Sequence, residues 1–192
     1  YNNIIYNING DENMSKFRKA LDTAILAAES GKLVTISINP TFAATAYGYI
    51  GIKQKMVNMP YFLAGKFKEK PKTGQAENFI KSGFFWNSGM FFWKIDSILE
   101  SFKRYSPVLY TEFSEIYQNR HIDPITFKHR LSVVYENISE KIFVDTIILE
   151  HAADDGNLLV AKGIFNWQDI GKWDALVAIF SRRDNVIDVA IV

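Results

Sequence analysis

Polar side chains beside turn-forming residues are the first candidates for chemistry in this sequence. Asp169 lies in the segment NWQDIGKW, two residues before Gly171. A divalent metal bound to phosphates needs hard oxygen ligands and a backbone that can approach closely, which favours a carboxylate next to a glycine turn. The alternative is that Asp169 caps a helix beginning near Lys172.

Two further segments have the residue types of a polar pocket. Glu69-Lys70-Pro71 follows a predicted strand, and a carboxylate and an ammonium held by a proline turn could bind a hydroxyl group and a phosphate. The alternative is a solvated surface ion pair. Asn87 lies in FFWNSGMFFW at residues 84–93, where its amide could both donate to and accept from vicinal hydroxyls. The alternative there is an Asx turn that satisfies its own backbone.

Histidines and common catalytic motifs add nothing to this set. His121, His129 and His151 lack metal-ligand spacing, and His151 stands at a predicted helix end where a cation is favoured. The sequence contains no GxGxxG, GxxxxGK[ST] or GxSxG motif. The residues alone therefore predict a polar pocket without a reaction.

Hydrophobic periodicity predicts the elements that must position these residues. Residues 15–30 have helical spacing, with Asn13 or Ser15 as the N-cap and Gly31 as the stop. The segment 84–93 is predicted as two strand pieces joined at Asn87-Ser88-Gly89. The other strands are predicted at 33–38, 47–52, 61–67 and 158–161, with a strand and turn at 165–171, and the other helices at 75–82, about 98–105, about 109–117, about 124–134, about 144–151 and 173–180. Because strands and helices interleave, the predicted fold class is α/β with a mixed, mostly parallel sheet flanked by helices.

Composition bounds the class of protein. The chain has 192 residues, 48% hydrophobic and 22% charged, which is typical of one large or two small globular domains. A net charge of +1 gives no electrostatic motive for binding nucleic acid or an anionic membrane. The absence of cysteine excludes a thiol nucleophile and a disulfide framework. No apolar run reaches the roughly 18 residues of a membrane span, so we expect a soluble cytoplasmic protein.

Three segments together resemble the bacterial mannose-1-phosphate guanylyltransferase family, within the sugar-nucleotidyltransferase superfamily. They are PTFAATAYGYI at 40–50, FKEKPK at 67–72 with FFWNSGMFFW at 84–93, and FNWQDIGKWDAL at 165–176. Their order and separations match as a set, and weaker similarity extends from about residue 14 to 180. The resemblance implies a Rossmann-like fold of the nucleotide-diphospho-sugar transferase type.

The resemblance also implies an activity and a pocket. In such a reaction mannose 1-phosphate attacks GTP, and GDP-mannose and pyrophosphate are formed. The backbone at Gly48 would lie against the sugar, and Asn87 and Gly89 would line the same pocket. Glu69 would accept from sugar hydroxyls, and Lys70 would approach the phosphate as a catalytic residue.

Two aspartates complete the implied site. Asp169 would be catalytic as a ligand of Mg²⁺, the cofactor that the resemblance implies. Asp145 would bind substrate, because FVDTIILE at 143–150 resembles the family's S-I-D-Y-A-I-x-E segment. Phe143 and Thr146 depart from that pattern.

The family's G-x-G-T-R loop and L-P-A-D-H-like segment are not found in this sequence. Ile8 and Asn9 stand where the Asp-His pair is expected. We therefore expect residues 1–180 to form a partial catalytic domain, mainly its sugar-phosphate half, without the N-terminal nucleotide-binding part. Residues 181–192 would be a C-terminal strand or the start of an extension.

Two alternatives stay open beside GMP transfer from GTP to mannose 1-phosphate. One is another sugar-1-phosphate nucleotidyltransferase, because the base-reading part of the family pattern is unmatched. The other is a catalytically inactive regulatory homologue that binds the sugar phosphate. The expected partners are GTP and mannose 1-phosphate, with no nucleic acid and no membrane, and a homo-oligomer is left open.

Overall fold

The computed structural model describes residues 11–121, 123–137 and 143–169. Within these ranges helices and strands alternate as predicted. The strands are β1 (Leu33–Ile38), β2 (Tyr49–Lys55), β3 (Phe62–Lys68), β4 (Phe85–Phe92) and β5 (Leu158–Gly163). The helices are α1 (Asp11–Ala28), α2 (Thr73–Lys81), α3 (Ile95–Tyr105), α4 (Pro107–Gln118), α5 (Pro124–Asn137) and α6 (Glu150–Asp154), and α6 is preceded by a π-helical turn (Asp145–Leu149).

Helix α1 confirms the helical spacing, but the N-cap predicted at Asn13 or Ser15 is wrong, because the helix already includes Asp11 and both residues lie within it. Asp11 and Glu12 lie in its first turn, where carboxylates interact favourably with the helix dipole. The helix ends before Gly31, which has a φ of +81° and donates its N–H to the carbonyl of Ala28. Its buried residues are all alanines, which allow the helix to approach the sheet closely.

The sheet is mixed, but most of its pairings are antiparallel. The strand order is β1-β4-β2-β3-β5, and β5 pairs with β1 to close a small barrel. Only the β1–β5 pairing is parallel among the described strands. The prediction of a mostly parallel sheet is therefore wrong for this part of the chain.

The error arises from where the connected strands lie. Strands β3 and β4 run in the same direction and are joined through α2, as in a parallel crossover unit. However, β2 lies between them and runs the other way. Strands β1 and β2 likewise share a direction and have β4 between them. Helix α2 therefore connects two strands of one direction that are not neighbours in the sheet, and β1 and β2 are such a pair joined without a helix.

Strand β4 is one continuous strand with an irregularity, rather than two joined pieces. In its pairing with β1, Thr35 lies opposite Phe91 and Ser37 lies opposite Asn87, so the register shifts between them. Gly89 lies within the shifted part and has a φ of +76°, a left-handed conformation that favours glycine. Bulges of this kind redirect side chains, and here the affected side chain is that of Asn87.

Two apolar clusters cover the two faces of β1 and β5. Val34 and Leu159 pack in the cluster that contains the alanines of α1. Leu33 and Leu158 pack in the other, together with Ile148 and other residues of the π-helical turn and α6. Alternate residues of one strand face opposite sides, so both faces are buried and both strands are predominantly apolar.

The remaining predictions have mixed outcomes. Residues 165–169 continue from β5 as an irregular segment, so the strand predicted there is wrong for these five positions. The predicted helix at 173–180 and the predicted C-terminal strand or extension at 181–192 lie outside the described residues. In the described part of the chain, no helix combines the length and the apolar character needed to cross a lipid bilayer.

Candidate functional site

The Asn87 side chain has a fixed orientation inside the fold. Its Oδ1 accepts from Thr35 Oγ1 at 2.7 Å and from the Gly89 backbone N–H at 3.3 Å, and its Nδ2 donates to Asp145 Oδ1 at 3.0 Å. A backbone N–H can only donate, and an ionised carboxylate can only accept, so flipping the amide would break both bonds. Asn87 is only 7% exposed. The bonds extend beyond an Asx turn, because they join β1, β4 and the π-helical turn.

Gly48 brings this amide together with Glu69. Its carbonyl accepts the backbone N–H of Asn87 at 2.7 Å. A Cβ placed on Gly48 would lie 2.5 Å from Glu69 Oε2 and 3.1 Å from Asn87 Cβ. The position therefore admits no side chain without movement of its neighbours. Gly48, Glu69, Asn87 and Asp145, called the polar cluster below, thus form one site.

The Glu69-Lys70 corner lies at the edge of the polar cluster. Lys70 Nζ lies 3.7 Å from Glu69 Oε1 and 4.5 Å from the centre of the Phe143 ring. The Lys70 side chain is half exposed, whereas that of Glu69 is 15% exposed. Burial of the carboxylate excludes the interpretation of this pair as fully solvated surface charges.

The polar cluster is unfavourable for negative charge. Burial, with the nearby Asp145 and Glu150 carboxylates, raises the pKa of Glu69 to about 7, although Lys70 opposes the rise. Burial also raises the pKa of Asp145, against hydrogen bonds from its own backbone and from Asn87 and the charge of Lys70. Glu69 therefore exchanges its proton near neutral pH, where it can act as a donor or an acceptor.

Two residues that support the site were not identified from the sequence. Thr35 holds the Asn87 carbonyl oxygen, and Glu150 accepts the Glu69 backbone N–H at 3.0 Å. The hydroxyl of Thr35 in the apolar strand LVTISI was a signal for the first. The final glutamate of FVDTIILE, a segment already singled out for Asp145, was a signal for the second.

Asp169 lines a cleft next to the polar cluster. The cleft has a volume of about 740 Å³, and its walls include Tyr47, Trp86 and Trp167. Burial and then the charge of Asp169 raise the pKa of Tyr47, which places the carboxylate near that phenol. Tyr47 precedes Gly48 in the chain and Trp86 precedes Asn87, so the cleft and the polar cluster share two segments.

The structure brings Glu69 and Asn87 together around Gly48, as the implied pocket requires. Among the described residues, no hydrogen bond or ion pair joins Asp169 to either of them. The helix predicted to begin near Lys172, which Asp169 would alternatively cap, falls outside the described residues.

Asp169 could hold a metal ion only together with ligands from outside the described residues. Within residues 11–121, 123–137 and 143–169, no group of three or more histidine, aspartate or glutamate side chains could hold a metal ion. Mg²⁺ usually retains water and is bound by one or two carboxylates together with substrate phosphates. One partly buried carboxylate in an open cleft fits that arrangement.

Comparison with known proteins identifies the family. The family model described as Nucleotidyl transferase matches residues 2–185. The chain belongs to the nucleotidyl transferase family. This confirms the resemblance to sugar nucleotidyltransferases that its sequence segments show.

Curated relatives of this nucleotidyl transferase have more specific names. It is 34% identical over 170 residues to mannose-1-phosphate guanylyltransferase RfbM of Salmonella typhimurium, covering 88% of this chain and 34% of the relative. It is 31% identical over 171 residues to a putative mannose-1-phosphate guanylyltransferase of Vibrio cholerae, covering 86% of this chain and 34% of the relative. The chain thus spans about a third of the length of these relatives.

Solved structures share the fold. The crystal structure of mannose-1-phosphate geranyltransferase from Thermus thermophilus matches with a TM-score of 0.73 and 29% identity, over 93% of this chain and 48% of that one. Mannose-6-phosphate isomerase from Helicobacter pylori matches with a TM-score of 0.62 and 21% identity, over 82% of this chain and 60% of that one. The second likeness concerns the fold alone.

Proposed function

We propose that this nucleotidyl transferase binds mannose 1-phosphate in the polar cluster and transfers GMP to it from GTP, forming GDP-mannose and pyrophosphate. The observation that carries the proposal is the convergence of Gly48, Glu69, Asn87 and Asp145 from distant parts of the chain. The names of the curated relatives support the choice of sugar and nucleotide.

The polar cluster has the chemistry to recognise adjacent sugar hydroxyls. Asn87 Nδ2 carries a second hydrogen beyond the one donated to Asp145. The carboxyl groups of Asp145 and Glu69 supply acceptors, and Glu69 supplies a donor when protonated. A pyranose ring presents hydroxyls that both donate and accept, so this mixture of partners suits it. The missing side chain at Gly48 leaves room for the ring to approach the backbone.

The phosphate of the sugar would lie toward Lys70. Its ammonium group is half exposed at the edge of the polar cluster and can neutralise the charge on a phosphate oxygen. Phosphoryl and nucleotidyl transfers depend mainly on alignment and on neutralisation of developing charge. Lys70 therefore serves to hold the attacking phosphate in position.

Asp169 would hold Mg²⁺ in the adjacent cleft. When bound, the ion neutralises phosphate charge and helps to orient the reacting groups. The role of Asp169 is to fix one coordination position through its carboxylate, beside the aromatic wall formed by Tyr47 and Trp86.

The test is direct. The protein is incubated with mannose 1-phosphate, Mg²⁺ and GTP, and release of pyrophosphate is measured, while calorimetry measures binding of mannose 1-phosphate alone. We expect both. Pyrophosphate release with another nucleoside triphosphate but not with GTP would change the nucleotide in the proposal. Binding without release from any triphosphate would favour a sugar-phosphate-binding regulatory protein.

A variant separates the metal role from sugar binding. We expect Asp169→Asn to lower the turnover by at least about a hundredfold, within the range for losing a transition-state charge contact, and to leave mannose 1-phosphate binding within about twofold. Asp22→Asn, on the exposed face of α1, is the matched control. Full turnover in Asp169→Asn would overturn the assignment of the metal ligand.

A further inference from the structure

We propose that Glu150 is a positioning residue that holds the Glu69-Lys70 corner in place and thereby sets the affinity of the polar cluster for its ligand. The identity of that ligand, mannose 1-phosphate, rests on the proposed function. The positioning itself rests on contacts within the chain.

Glu150 joins two consecutive residues at the end of β3. Its Oε1 accepts the backbone N–H of Glu69 at 3.0 Å. Both of its carboxylate oxygens accept from Lys68 Nζ, at 3.1 and 3.2 Å. The Glu150 side chain is 22% exposed, so these bonds are partly shielded from water. One carboxylate thus holds the backbone of Glu69, the first residue of the corner, and the side chain of Lys68, which precedes it.

The corner needs such support because its backbone is strained. Lys70 has a φ of +42°, in the left-handed region that residues with a Cβ seldom adopt. It also precedes Pro71, whose ring favours an extended conformation in the residue before it. Strained conformations of this kind cost about 1–3 kcal/mol and persist only when surrounding contacts impose them. The link from Glu150 to the Glu69 N–H is such a contact.

The π-helical turn explains how Glu150 reaches the corner. The Glu150 N–H donates to the carbonyl of Asp145, five residues earlier. In a regular α-helix, residues five apart point about 140° away from each other. The wider π turn brings them closer to the same face, so that Asp145 bonds to Asn87 while Glu150 bonds to Glu69. The turn therefore directs two carboxylates to one site.

Glu150 acts through two separable properties. Its oxygen accepts the Glu69 N–H, which fixes the backbone, and its charge acts on the Glu69 carboxyl. The charged groups that face Glu69 are Asp145, Lys70 and Glu150, and Lys68 faces Glu150 from β3. Glu150→Gln keeps an acceptor and removes the charge, whereas Glu150→Ala removes both.

Calorimetry with mannose 1-phosphate at pH 6, 7 and 8 tests the proposal. We expect Glu150→Ala to weaken binding by at least about tenfold, the loss expected for a charge-assisted hydrogen bond. We expect Glu150→Gln to stay within about threefold of the wild type, because a neutral acceptor keeps much of the bond. The pH dependence of mannose 1-phosphate binding by Glu150→Gln should also shift to lower pH, because removal of the Glu150 charge lowers the pKa of Glu69. The exposed Glu77→Ala in α2 is the matched control and should bind as the wild type does.

Amide hydrogen exchange at Glu69, followed by NMR, gives a readout that needs no ligand. Removal of the acceptor in Glu150→Ala should accelerate exchange of this amide by at least about tenfold, and Glu150→Gln should retain most of the protection. If Glu150→Ala does not fold, Glu150→Asp takes its place, because the shorter side chain keeps the charge, withdraws the acceptor from the Glu69 N–H and should also accelerate exchange. Lys68→Met removes the ion pair and keeps the backbone bond, so it should retain protection as well.

The outcomes distinguish the two proposals. A folded Glu150→Ala, or Glu150→Asp in its place, with wild-type binding and wild-type Glu69 exchange would overturn the positioning role. A wild-type protein that fails to bind mannose 1-phosphate would refute the proposed function, while the exchange rates would still decide the role of Glu150.

Discussion

Replacement of Glu69 by glutamine tests the electrostatics of the polar cluster. Glutamine has almost the shape of glutamate and cannot ionise, so Glu69→Gln removes one charge with little change in packing. In the wild type, burial and then the Asp145 carboxylate raise the pKa of Glu69 from 4.5 to about 7. Ionisation of Glu69 should therefore destabilise the folded protein, and the variant should not show this effect.

The sign and size of the effect follow from proton linkage. Between pH 4.5 and 7 the folded chain retains the Glu69 proton that the unfolded chain has lost, so the free energy of unfolding falls as the pH rises. The stabilisation from the retained Glu69 proton is complete below the pKa of 4.5 that Glu69 has in the unfolded chain, and it is lost by about pH 8. A pKa raised from 4.5 to about 7 corresponds to about 3 kcal/mol.

Urea unfolding at pH 5, 6, 7 and 8, followed by tryptophan fluorescence, measures the difference. The quantity compared is the change with pH, because the amide of glutamine also adds a constant offset. From pH 5 to pH 8 the free energy of unfolding of Glu69→Gln should gain about 2–3 kcal/mol over that of the wild type. Asp145 titrates in both proteins, so its contribution largely cancels. Glu77→Gln, at an exposed position of α2, is the control and should follow the wild type.

Parallel pH profiles for Glu69→Gln and the wild type would refute this reasoning. They would mean that the carboxyl is solvated or fully neutralised by Lys70 in the folded protein. The same slope in Glu77→Gln as in Glu69→Gln would instead show that net charge, and not the site, controls the pH dependence.

Further substitutions test the packing around the polar cluster. Thr35→Val should cost about 0.5–1.5 kcal/mol in urea unfolding, because Asn87 Oδ1 loses one of its two donors, and Thr35→Ser should recover most of it. Gly48→Ala should cost about 1–3 kcal/mol, because the new Cβ meets Glu69 and Asn87, and should weaken mannose 1-phosphate binding. Gly74→Ala, with open space around it in α2, should be neutral or stabilising in the same assay. Gly89→Ala should lower stability by about 1–2 kcal/mol because of its φ of +76°. Equal stabilities for Gly48→Ala and Gly74→Ala would contradict the close approach at Gly48.

Local structure could be predicted from the sequence where one signal dominated. Strand β1 matches its predicted bounds because LVTISI is short, rich in β-branched residues and ended by Asn39-Pro40. The hairpin of β2 and β3 has turn-forming residues in its short connection, since Asn58 has a positive φ and Pro60 follows two residues later. Strand order could not be predicted this way. Alternation of helices and strands constrains the direction of successive strands, and the insertion of β4 between β1 and β2 depends on contacts between distant segments.

The candidate site likewise contains residues that the sequence can indicate and residues that only the fold reveals. The residue types of Glu69, Lys70 and Asn87 are compatible with hydroxyl and phosphate recognition, because each has a donor or an acceptor beside a turn, but they also allow a solvated ion pair and an Asx turn. The two residues that support the site could not be identified by residue type and position beside a turn. Thr35 is one hydroxyl in an apolar strand, and Glu150 is one of many glutamates, so only the folded chain shows what each contacts.

The irregularity at Gly89 connects the fold of β4 to the chemistry of the site. In β4 the shift with respect to β1 falls between the pairs Thr35–Phe91 and Ser37–Asn87. The same local geometry directs the Gly89 N–H to Asn87 Oδ1, so the bulge that redirects Asn87 also fixes which end of its amide faces Asp145. A residue with a Cβ at position 89 would therefore disturb ligand recognition as well as strand pairing, although position 89 need not itself contact the ligand.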